Sequence, residues 1–207
     1  GKSTMLHAIA GLLPVAAGTL TVLADRPGRV GVAYVLQSHH ASEHLLVTAR
    51  EVIALARRSP RLSRASRADR RVVDEAMERL GISSLANRHL ADMSGGQRQR
   101  VFIAQGLVQD SEILLLDEPV AGLDLASEHT IRKVIDEECA SGRTVVVATH
   151  DLDEAARADQ VVMLNRSVVA VGAPAEVLRP EHLREAYRGR VMELGDGTFA
   201  VDDGHHH

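Results

Sequence analysis

Apolar residues along this chain change rhythm several times, and each change marks an element. After Gly1-Lys2-Ser3-Thr4, the residues Leu6, Ile9, Ala10 and Leu13 recur at helical spacing, which predicts a helix over 2–12. Gly11, Pro14 and Gly18 then punctuate its exit. Thr19–Leu23 and Val30–Leu36 are β-rich stretches around the turn-like Ala24-Asp25-Arg26-Pro27-Gly28, and they predict two strands. Between about 45 and 108 no strand pattern emerges. Thr48–Arg57 and Arg70–Leu80 carry apolar residues at helical spacing instead, with Val73, Met77 and Leu80 on one face of the second. Ile113–Leu116 and Thr144–Ala148 are short continuous apolar runs, the pattern of parallel strands buried on both faces. A helix over about Ala126–Cys139 supplies their crossover. Val161–Leu164 and Ser167–Val171 predict a hairpin around Asn165-Arg166. From Pro174 a short helix is expected, then polar residues ending in His205-His206-His207.

These elements predict an α/β fold with a mostly parallel sheet and a helical insertion. A chain of 207 residues is long enough for one good core, burying roughly 70% of its unfolded surface without staples. The single cysteine, Cys139, excludes an internal disulfide framework and fits a reducing compartment. No apolar stretch approaches the ~20 residues that span a bilayer, so membrane association is expected through a partner. The start at Gly1 lacks the basic and apolar leader of a signal peptide. A net charge of −4 and 2% aromatics argue against nucleic acid as a partner. Arg57, Arg58, Arg61, Arg64, Arg67, Arg70 and Arg71 crowd a Ser-rich link, which reads as a solvated face in preference to a lipid-facing one.

Candidate chemistry gathers at element ends. Gly1-Lys2-Ser3-Thr4 matches the last four positions of G-x-x-x-x-G-K-[ST], a loop whose backbone N–H groups and lysine surround nucleotide phosphates. Lys2 would place a cation at the β- and γ-phosphates, Ser3 a hydroxyl on Mg²⁺, and Thr4 a bond to a more interior phosphate. The chain is thus expected to begin inside the loop, as a truncated form that binds its nucleotide weakly. Ser94-Gly95-Gly96-Gln97 has the form of a capping box, with two adjacent glycines that are poor helix formers. They make sense where a phosphate must approach the backbone. Asp117 and Glu118 end a buried apolar strand, where a metal ion is a natural partner for carboxylates. His150 ends another such strand, and Asp151 with Glu154 makes a second capping-box-like start. Gln37 follows directly on an apolar run, at a strand end where ligand groups gather in α/β folds.

Taken in order, Lys2-Ser3-Thr4, Gln37, Met93-Ser94-Gly95-Gly96-Gln97-Arg98-Gln99-Arg100, Ile113–Pro119 with Gly122-Leu123-Asp124, and Val145–Asp151 resemble the nucleotide-binding subunit of an ATP-binding-cassette transporter. The resemblance runs from Gly1 to about Gly172. It implies a phosphate-loop NTPase fold, with 1–37 and 109–172 as a RecA-like core, 38–108 as a helical subdomain and 173–207 as a short extension. It implies ATP and Mg²⁺ as cofactors, and a head-to-tail homodimer enclosing two ATP molecules. An integral membrane permease would be the partner, with a solute-binding protein acting indirectly, at the cytoplasmic face of the membrane.

By the same resemblance Asp117 orients Mg²⁺ through water, Glu118 is the general base, and His150 senses the γ-phosphate. Gln37 touches Mg²⁺ and water. Ser94 and Gly96, with Gly95 and Gln97 beside them, complete the opposite subunit's ATP site, and Asp124 belongs to a loop crossing the dimer interface. Met93 stands where leucine is commoner, and Leu36 where proline often precedes the glutamine. The segment from Gly172 to Leu178 and the stretch Glu181–Tyr187 resemble zinc/manganese-type importers, so a divalent metal is the expected solute. Importers of iron-siderophore, haem or cobalamin, or a non-transport cassette protein, are the alternatives. His39, His40 and His44 define no tetrahedral ligand set and read as loop residues, and the terminal histidines as a polar tail or tag.

Overall fold

The apolar run Ile113–Leu116 becomes the middle of a three-stranded parallel sheet. In the computed structural model, which describes residues 1–23, 31–36, 46–57, 66–187, 191–194 and 198–201, β2 (Ile113–Asp117) lies between β1 (Val32–Val35) and β3 (Thr144–Ala148). The register pairs Val35 with Leu116 and Asp117 with Ala148. Because successive strand residues face opposite sides, Leu114 and Leu116 enter one core while Leu115 enters another with Leu6 and Ala148. Helix α1 (Lys2–Ile9) therefore covers the Leu115 face. On the other face lie α2 (Ala49–Arg57), α3 (Arg67–Arg79) and α4 (Gly95–Leu107), whose buried residues join Leu114 and Leu116.

Two local features fix this layer. At Gly106 of α4 a Cβ would stand 2.5 Å from Val35 and 3.1 Å from Leu114, so only glycine lets the helix lie this close to the sheet. Helix α5 (Leu125–Ala140) is the β2–β3 crossover, capped by Asp124, whose carboxylate accepts from the Ser127 amide. Near the C-terminus of α5, Arg79 of α3 reaches Glu137 at 3.0 Å and Glu138 at 2.7 Å. Arg143 bonds Glu138 at 2.8 Å and also donates to Ser111 Oγ. Arg57 pairs with Asp69 at 3.2 Å, so this arginine is not simply a solvated charge.

The chain gathers into two compact units, Ser3–Ala148 and a second formed by Gly1–Lys2 with Thr149–His207. In the second, α6 (Leu152–Ala156) precedes an antiparallel hairpin of β4 (Val161–Asn165) and β5 (Ser167–Gly172), with a register shift between Met163 and Leu164. Helices α7 (Pro174–Val177) and α8 (Pro180–Ala186) follow, and Met163, Val177 and Leu183 form its core. A second hairpin joins β6 (Val191–Leu194) to β7 (Thr198–Val201).

Four expectations need correction. The first helix stops at Ile9, because Gly11 takes φ +72° and the Leu12 amide bonds back to His7 O, which turns the chain out and leaves Leu13 exposed. Thr19–Leu23 forms no strand: it pairs with none of the described residues, and Leu20 and Leu23 stay exposed. β3 is exposed at Thr144, half-buried at Val145, Val146 and Val147 and buried only at Ala148, since among the described residues it has a paired neighbour on one side alone. The β6–β7 hairpin was missed by reading the segment after α8 as a polar tail, although Gly195-Asp196-Gly197 is a turn signal between its two β-rich runs.

Candidate active site

Asp117 is the last residue of β2 and is 6% exposed. One of its oxygens, Oδ2, accepts a 3.2 Å hydrogen bond from the Tyr34 hydroxyl on the neighbouring strand. Burial first, and then the adjacent Asp117 carboxylate, push the Tyr34 phenol up to about 12, so it stays a donor at physiological pH. Tyr34 in turn meets the His7 ring edge-on, with centroids 5.4 Å apart. Ser3 lies one turn before His7 on α1, so this contact links the helix that carries Ser3, through Tyr34, to the Asp117 carboxylate.

Glu118 follows with φ +47°, a left-handed backbone that a non-glycine residue rarely adopts. Its amide donates to Ala148 O at 2.8 Å, holding it to the end of β3. Strain of this sort costs about 1–3 kcal/mol and clusters at functional sites. It turns the glutamate out of the alternation of β2, to a half-buried position.

In the other unit, Lys2 lines a cavity of 110 Å³ together with Thr149, His150 and Asp151. His150 is exposed, and the Thr149 hydroxyl accepts from the Asp151 amide, a tight turn that leads into α6. The Asp151 carboxylate caps α6 by accepting from the amides of Asp153 and Glu154.

Ser94 caps α4 as expected: its hydroxyl accepts from the Gln97 amide at 3.3 Å, and Gln97 Oε1 accepts from the Ser94 amide at 3.1 Å. The two glycines behind it differ. A Cβ on Gly95 would meet nothing within 4 Å. On Gly96 it would stand 3.0 Å from Ser127 Oγ and 3.3 Å from Asp124 Oδ2. Gly96 is therefore required by its own chain, which brings the starts of α4 and α5 together. The Ser127 amide and hydroxyl hold the Asp124 carboxylate below its usual range. Gln37, His39, His40, His44 and the terminal histidines lie outside the described residues.

A family model described as ABC transporter matches residues 1–121. The chain belongs to the ABC transporter family. It is 38% identical, over 98% of its length and 81% of the relative's, to the manganese transport system ATP-binding protein MntB of Halalkalibacterium halodurans. To the zinc transport system ATP-binding protein TroB of Treponema pallidum it is 36% identical, over 92% of this chain and 74% of the relative. Its fold is similar to that of a metal-chelate type ABC transporter solved in an inward-facing conformation, with a TM-score of 0.81 over 98% of this chain and 83% of that one at 23% identity.

The chain is thus an ATP-binding ATPase subunit of the transporter class, built on the phosphate-loop α/β fold. Its residues fit a nucleotide accompanied by a cation: a buried carboxylate at a strand's end takes a hydrogen bond on one oxygen, and the helix linked to it through Tyr34 and His7 carries exposed hydroxyls in its first turn. Two residues of this neighbourhood escaped the sequence reading. Tyr34 is one of only two tyrosines in the chain, three residues before Gln37, and that rarity was the available signal. His7 offered none beyond its place one turn after Ser3.

Proposed function

We propose that this ATPase powers import of a divalent metal ion, zinc or manganese, through an integral membrane permease at the cytoplasmic face. The observation that carries the reading is the likeness, over nearly the whole chain, to relatives named for manganese and zinc transport. Lys2, Ser3 and Thr4 hold the phosphates, with Gly1 in the loop backbone. Magnesium held by Ser3, Gln37 and Asp117 supplies charge neutralisation along the phosphates. Glu118 accepts a proton from the water that attacks the γ-phosphorus, and His150 contacts the γ-phosphate. Two copies pair head to tail, so that Ser94, Gly95, Gly96, Gln97 and Asp124 of one complete the ATP site of the other. A solute-binding protein delivers the metal to the permease from the far side.

Glu118→Gln keeps the size of the side chain and removes the base, so ATP turnover should fall by about 10²–10⁴-fold while an ATP-bound dimer accumulates. An unchanged turnover would refute the assigned role. The substrate is tested by elemental analysis of a metal-starved host that carries the permease with either the wild-type protein or Glu118→Gln. A selective fall in zinc or manganese with the variant is the expected result. No change in any metal, with ATPase activity confirmed lost, would overturn the metal reading and turn the search to siderophores, haem or cobalamin.

A further inference from the structure

We infer that Tyr34 is a positioning residue for magnesium: its hydroxyl fixes the Asp117 carboxylate, and its ring ties that carboxylate to the helix that carries Ser3. The inference rests on the proposed role of Asp117 as a magnesium-site residue and goes beyond it. Three observations carry it. The hydroxyl donates to Oδ2 across paired strands at 3.2 Å, so it restrains the rotation of a carboxylate that has little solvent around it. Tyr34 pairs in register with Leu115, two residues before Asp117, and fully buried Leu115 locks that stretch of β2 against α1. Finally, the ring packs edge-on against His7, one helical turn from Ser3.

A carboxylate that binds a cation directly or through water must present one oxygen in a fixed direction, and ligand-orienting partners of this kind matter nearly as much as the ligands. With Oδ2 engaged by Tyr34, Oδ1 is the oxygen oriented for the cation. The ring contact makes the α1 and β2 contributions one unit, so Ser3 and Asp117 do not move independently. A phenylalanine at position 34 would keep the ring and its packing but would leave the carboxylate free to rotate.

Tyr34→Phe deletes the hydroxyl and keeps the ring, its contact with His7 and the strand. Binding of Mn²⁺, as a paramagnetic substitute for Mg²⁺, is measured by electron paramagnetic resonance on protein saturated with a non-hydrolysable ATP analogue. The dissociation constant should rise about three- to tenfold, the loss expected for one ordinary hydrogen bond. Two further readouts should hold steady: analogue affinity without metal, and the melting temperature. A merely structural role would instead lower the melting temperature and leave metal affinity alone. Asp117→Asn is measured alongside and should weaken Mn²⁺ more than tenfold. If Asp117→Asn weakens the metal while Tyr34→Phe matches wild type, the inference about Tyr34 fails and the reading of Asp117 stands. If Asp117→Asn itself leaves Mn²⁺ binding unchanged, both are overturned.

Discussion

Gly95 and Gly96 stand side by side at the start of α4 and answer to different constraints. Because a Cβ at 95 meets open space, Gly95→Ala should fold normally and gain a few tenths of a kcal/mol, roughly, from helix propensity. Any loss of ATP turnover in that variant would report an approaching phosphate, since nothing in the chain itself objects. Gly96→Ala crowds Ser127 Oγ and Asp124 Oδ2 and should cost about 1–2 kcal/mol in urea unfolding. If Gly95→Ala destabilised as much as Gly96→Ala, this separation would be wrong. The sequence made both glycines legible as a pair but could not divide them, because the close approach at Gly96 comes from Ser127, thirty-one residues further on. Asp117 and Glu118 were legible for a better reason: charges at the end of an unbroken apolar run announce themselves. The left-handed backbone of Glu118 and the hydroxyl that holds Asp117 were not, as each depends on pairing with another strand.

At the scale of elements, α3 and α5 are joined by a relay of charge. Arg79 spans Glu137 and Glu138, and Glu138 is shared with Arg143, whose side chain is 8% exposed against 12% for the glutamate. Burial alone would raise the Glu138 carboxyl, but hydrogen bonds from Arg143 and Arg79 outweigh it and hold it below its ordinary 4.5. A depressed carboxyl contributes stability that is complete above its unfolded value and is lost as pH falls through the folded one. Glu138→Gln should therefore cost about 1–3 kcal/mol at pH 7, less than a fully buried pair because Glu137 remains for Arg79. Urea denaturation at pH 7 and again well below pH 4.5 would check this. The gap between wild type and variant should close in acid, and a constant gap would mean packing rather than charge sets the cost. Such long-range pairs were invisible in the sequence, where Arg79 and Glu137 are ordinary exposed-face residues of two separate helices. Local order was easier. The capping box at Ser94, the apolar runs of β2 and β3 and the hairpin at Asn165-Arg166 each carry their signal within a few residues. Thr19–Leu23 misled because β-propensity names a compatible surface and not a partner, and among the described residues no partner is there.

For the whole molecule, the decisive question is whether one chain completes its own ATP site. The proposed head-to-tail dimer assigns Lys2 and Ser94 of the same chain to different sites, because Ser94 serves the nucleotide held by its partner. Both residues sit where substitution leaves the fold intact. Ser94 is exposed at a helix start, and Lys2 is half-buried at another. Losing the Ser94 cap should cost only about 1 kcal/mol. Lys2→Ala and Ser94→Ala proteins should each lose most ATP turnover when pure, since every dimer then carries two damaged sites. Mixed in equal amounts, half of the dimers pair one variant with the other. Within each mixed dimer one site has lost both groups, and the second has kept both. Turnover should therefore recover to about a quarter of the wild-type rate, as a two-fold pair of shared sites requires. A chain that completed its own site would give a different result: every site in the mixture would lack one group or the other. Mixing would then restore nothing, and the dimer reading would fall while the fold and family stood.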